Sequence, residues 1–127
     1  MTYALSFIEN DQYLHILFSG DFVSGDVKAL WTEIYEHLGT NQTQKRILVE
    51  EQPGTTGQLD MLEVFETASF LANSHFAFKV KIAVLYLEEV SLDTLNQARF
   101  GETVAVNRGA NMKVFASKEE AETWLFA

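Results

Sequence analysis

Hydroxyls and carboxylates crowd one stretch of this 127-residue sequence, Val49-Glu-Glu-Gln-Pro-Gly-Thr-Thr-Gly-Gln58. Thr55 and Thr56 precede a helical pattern, and a free helix N-terminus attracts anions, so both are candidates for holding a ligand anion. Thr55 and Gln58 also have the spacing of a capping box, in which the hydroxyl serves the helix and binds nothing else. Glu50, Glu51 and Asp60 surround the turn and would repel a bound phosphate. The glycines form no P-loop, because no Lys follows them. The carboxylates themselves could be a hard-metal or acid/base cluster at the C-terminal end of a strand, where open α/β sheets bind ligands. Adjacent Glu50 and Glu51 would point to opposite faces of that strand, however, and no His lies near them in sequence. The expectation is therefore solvated charges, with no metal and no cofactor.

His15, His37 and His75 occur singly, without a metal-binding His-x-His or His-x-x-x-His pair. No cysteine is present, which excludes a thiolate nucleophile, Cys-ligated zinc and a disulfide framework. Projected at 100° per residue, Arg99 falls between Leu92, Leu95 and Val106 on the inward face of a helix. A buried Arg needs a partner, and Glu102 is three residues on; otherwise Arg99 faces a cleft and holds a ligand carboxylate or phosphate. Arg108, in a turn, is a second ligand candidate. Leu59 and Phe70 project among Glu63, Glu66, Asn73 and Ser74, on what should be a wet helix face, making them a candidate interaction surface beside the alternative of packing against a loop.

These residues need a scaffold, and the apolar pattern supplies one. Tyr3 to Ile8 and Tyr13 to Ser19 are apolar runs joined by a short polar link, as in a hairpin. Ser24 offers a cap for a helix carrying Val27, Leu30, Trp31, Ile34, Tyr35 and Leu38, stopped by Gly39. Arg46 to Glu51 reads as a strand, and a second helix spans about 58–74. Lys79 to Leu87 is apolar on both alternating faces, the mark of a central strand covered on both sides. Ser91 opens a third helix with Leu92, Leu95 and Ala98, loosened near Gly101. Asn111 and Gly109 suit a left-handed turn before the strand of Met112, Val114 and Phe115. Ser117 and Glu120 form a capping box for a last helix with Ala121, Trp124 and Leu125 on one face, Trp124 largely buried. The order is ββαβαβαβα: one α/β domain over 1–127, with a single-layer, mixed, mainly parallel five-stranded sheet and flanking helices.

This order resembles the SpoIIAA-like branch of the STAS superfamily, named for a sporulation anti-sigma-factor antagonist. The resemblance rests on the opening hairpin, the Lys79-Val-Lys-Ile-Ala-Val-Leu85 strand, and the Arg108-Gly109, Val114-Phe115 and Trp124-Leu125 ending. It implies a phosphorylatable Asp-Ser turn opening the second helix. Here Thr55 and Thr56 are the only hydroxyls at that place and the Asp-Ser pair is missing, which implies a module working without that switch. Nine basic against eighteen acidic residues, a net charge of -9 at pH 7, make nucleic acid an unfavourable partner. Without a basic leader or a run near the ~20 apolar residues of a membrane span, a soluble cytoplasmic protein is expected.

The leading expectation is a noncatalytic, regulatory interaction module with a protein partner, dimerising through Leu59 and Phe70. The alternative is a carrier of a small apolar or anionic ligand, with a lipid-binding CRAL-TRIO-like cleft lined by some of the ten Phe residues. An enzyme ranks last, since no His, Cys or Lys stands beside a candidate nucleophile.

Overall fold

A computed structural model describes residues 3–9, 12–23, 25–40, 46–55, 66–70, 80–86 and 92–127. The strands are β1 (Tyr3–Glu9), β2 (Leu14–Gly20), β3 (Arg46–Glu51), β4 (Lys81–Leu85) and β5 (Met112–Phe115). The helices are α1 (Asp26–Thr40), α2, of which 66–70 are described, α3 (Leu92–Asn107) and α4 (Lys118–Leu125). β1 and β2 are antiparallel, the other pairings are parallel, and the spatial order β1-β2-β3-β4-β5 repeats the order along the chain.

That order decides where the helices go. All three β-α-β connections step across the sheet in the same direction, and right-handed crossovers then place their helices on one face. Leu30 and Ile34 of α1, Ala68 of α2 and Ala105 of α3 accordingly share one core with Ile16, Ile47, Val49, Ile82 and Val84. A second, smaller core on the opposite face joins Leu48, Ala83, Leu85 and Phe115 to Ala121 and Leu125 of α4. β4 serves both cores through alternate side chains, which is why its sequence is apolar throughout.

Local chemistry sets the boundaries. Asp26 starts α1 by accepting the Val23 amide at 2.9 Å, and the helix runs one residue past Gly39. Gln52, Pro53, Gly54 and Thr55 close a tight turn after β3, with Gly54 at φ 85 as a type II turn requires. α3 ends in a Schellman motif: Ala110 N donates to Ala105 O and Gly109 N to Val106 O, with Gly109 at φ 103. Asn111 does not take the left-handed conformation expected of it; its carbonyl accepts the Ile82 amide instead. Ser117 caps α4, its hydroxyl accepting the Glu120 amide at 3.3 Å.

Two expectations about helices fail for the same reason. α3 is not loosened at Gly101 but runs through it, and Gly101 is buried. Arg99 is exposed and Val106 is 46% exposed, while Leu95 does pack inward as expected; the inward face runs along Leu95, Ala98, Gly101, Val104 and Ala105. Small residues let a helix approach a sheet closely, and a projection weighted by large side chains points the wrong way.

Trp124 packs against the smaller core at intermediate exposure, while Ala121 and Leu125, both at 0% exposure, anchor α4. The Trp124 ring rests on Phe115 at 5.7 Å between centroids, with Lys81 Nζ 4.5 Å above it. α4 has no basic residue in its own last turn. Arg46 Nε donates to Leu125 O at 2.9 Å and Lys81 Nζ donates to Trp124 O, so cations from β3 and β4 satisfy its C-terminal carbonyls.

Candidate functional site

The neighbouring carboxylates of β3 are separated by the pleat, as adjacent strand residues must be, but neither is the solvated surface charge expected. Glu51 turns toward the larger core and is 7% exposed. It lies at the C-terminal end of the parallel strands close to Tyr86, whose phenol is pushed up to about 12 by burial and, secondarily, by the Glu51 charge.

Glu50 turns to the face that α4 covers. Its Oε1 lies 2.9 Å from His15 Nε2, with both side chains mostly buried, and Gln52 Nε2 donates to its other oxygen at 3.4 Å. Tyr13 packs its ring 5.9 Å from the imidazole, and its phenol is raised by burial first and then by the charges of Glu122 and Glu50. The β2-β3 register sets His15 opposite Leu48 and Leu17 opposite Glu50, two residues along on the same face, which brings the pair into contact. This pair was missed in the sequence because 35 residues separate its members. The available signal was a polar His inside an apolar strand, on the same alternating face as Glu50.

His15 and Glu50 border a sheet surface that no described helix covers. α4 packs on β3, β4 and β5. On the hairpin beside them the same face carries Ala4, Ser6 and Ile8 of β1 and Leu17 and Ser19 of β2, with Ile8 47% exposed and Leu17 half-buried. The surface therefore sets Ala4, Ile8 and Leu17 among two serines, with the His15-Glu50 pair along one side. Among the described residues no hydrogen bond joins a hydroxyl to His15. No group of three potential metal ligands converges among them either. The strand order does not reverse within the parallel part of the sheet, unlike the sheets of nucleotide-binding folds, which bind ligand at such a reversal.

The other expected site residues do not gather here. Thr55 is half-buried, and its hydroxyl donates to Gln52 O at 2.7 Å, closing the turn. Thr56, Gln58, Leu59 and Asp60 lie outside the described residues, as do Ser24, His75 and Ser91. Phe70 is not on a wet face: it is half-buried against the larger core, 6.4 Å from the Tyr35 ring, with Lys28 Nζ 5.2 Å above it. Arg99 does not pair with Glu102, which instead accepts the Val114 amide at 2.6 Å. Arg108 is exposed at the end of α3. His37 stacks on Phe7 at 4.1 Å, with Nε2 3.7 Å from Glu9.

No family model matches the chain, and no curated relative matches it. No described helix is long and apolar enough to cross a membrane.

Proposed function

We propose that the chain is a noncatalytic interaction module of the STAS type, a cytoplasmic regulator that binds a protein partner on the uncovered hairpin half of its sheet. The observation that carries this reading is the unequal covering of the two faces: three helices lie over one, while α4 leaves β1 and β2 bare on the other. The side chains there are short or apolar and uncharged, with exposed Ile8 among them and a polar pair at the rim, a make-up that suits a contact surface. The His15-Glu50 pair adds a fixed, directional acceptor and donor beside that surface, which serves recognition without requiring a reaction. The Thr55 hydroxyl is engaged within its own turn, in keeping with a module that works without phosphorylation there.

A photocrosslinking residue placed at Leu17, with one at exposed Glu36 on α1 as control, tests the surface in extracts of the producing cells. The expected result is a saturable adduct from position 17, competed by unlabelled protein and lost on Glu50→Gln. Adducts equal at the two positions, or none at 17, overturn the reading.

A further inference from the structure

The two edges of the sheet are treated differently. β5 has four residues, and the register with β4, together with the Ile82 N to Asn111 O and Tyr86 N to Phe115 O bonds, turns the Val114 amide away from β4. Glu102 reaches from α3 and takes that amide at 2.6 Å. A further strand would have to displace a charge-assisted hydrogen bond, so this edge is closed.

β1 has none of these protections. It is seven residues long, contains no Pro and no Lys, and pairs with β2 one-to-one without a bulge. Gln52 N donates to Phe18 O, so the Phe18 backbone faces β3 and its neighbours Leu17 and Ser19 face β1. Their partners Ser6 and Ala4, and with them Ile8, therefore bond inward. Tyr3, Leu5, Phe7 and Glu9 turn their amides and carbonyls outward, where nothing among the described residues pairs with them.

We propose that the β1 edge joins a second copy of this chain, in antiparallel register about a two-fold axis at Ser6, to make one continuous ten-stranded sheet. Three observations select a second copy. The strand is uncharged from Tyr3 to Ile8, so two chains of net charge -9 meet where local repulsion is least. Centring on Ser6 overlaps all seven residues and matches outward-facing groups with outward-facing groups, Leu5 with Phe7 of the partner and Tyr3 with Glu9 of the partner. The same register lays exposed Ile8 over Ala4 of the partner on the bare face, while the Glu9 carboxylates stand at opposite ends. This inference concerns the edge and holds whether or not the sheet face binds another protein.

Because the sequence has no cysteine, Ser6→Cys introduces a single thiol. At the axis it falls in a non-hydrogen-bonded pair, with Cα atoms ~4.5 Å apart, within the span of a disulfide. Under mild oxidation Ser6→Cys should convert mostly to covalent dimer, while Ala4→Cys, which faces Ile8 of the partner, should stay uncrosslinked. Sedimentation of the unmodified protein should show twice the chain mass across a dilution series, and Ser6→Lys, which sets two ammonium groups face to face, should halve it while leaving the circular dichroism unchanged. A monomer at every concentration, or equal crosslinking at positions 4 and 6, overturns the proposal. So does a dimer in which Ser6→Cys never crosslinks.

Discussion

The two faces of the sheet hold together by different means. One is covered by α1, α2 and α3 and keeps a continuous apolar core that reaches from Tyr3 to Val114. The other relies on an eight-residue helix seated by two small contacts, Ala121 and Leu125, with cations from the strands closing its end. The first face spends its side chains on stability. The second leaves the β1-β2 part of its surface uncovered by α4, which packs on β3, β4 and β5.

Alkaline titration reports the burial of the first face most strongly. Tyr3 and Tyr86, on the first face, are held up to about 12 by burial, with Glu33 and Glu51 adding to it, and burial alone raises Tyr35. A phenol raised in the folded state contributes stability that is complete below the ordinary value near 10 and is lost as pH rises through the folded value. The protein should stay folded with little tyrosinate absorbance at pH 10 and unfold as pH passes through about 12. Ordinary tyrosinate absorbance at pH 10 in folded protein would contradict this burial.

Leu125→Ala should cost about 2–5 kcal/mol in denaturant titration, the same range as Ile34→Ala in the larger core, because both side chains are fully enclosed. A loss below about 1 kcal/mol for Leu125→Ala would show that α4 is a peripheral flap. Glu102→Ala strips the acceptor from the Val114 amide and should cost about 1–3 kcal/mol, whereas Glu102→Gln keeps a carbonyl there and should recover most of it. Equal losses in the two variants would assign the effect to helix packing. Trp124→Ala should cost somewhat less than the ~3–5 kcal/mol of a fully buried aromatic, since the residue keeps part of its surface in water.

Local signals were readable in the sequence wherever neighbours decide the structure. The hairpin, β3, the two-sided apolar run of β4 and the Ser117 cap depend on residues within a few positions of one another. Arg99 shows where that stops: Leu95, Ala98, Val104 and Ala105 face the core and Gly101 is buried beside them, so the small residues of α3 turn Arg99 and Val106 outward, which a weighting by large side chains does not record. His15 and Glu50 show the same for chemistry, since only the β2-β3 register brings them together. Phe70 and Trp124 both lie at half-depth, which depends on what stands opposite and not on the residue's own helix.

The unreversed strand order bears on how the molecule assembles during synthesis. Each parallel strand can dock against the one made just before it, so closure can proceed from β1 toward β5, but each docking joins residues 30 to 35 positions apart, the non-local pairing that slows folding. At every stage the newest strand is an open template, the species most prone to mispairing with another nascent chain. Glu102 belongs to the helix that precedes β5, so it leaves the ribosome ahead of the strand it terminates. The growing sheet thus carries its own stop, delivered before the edge that needs it exists.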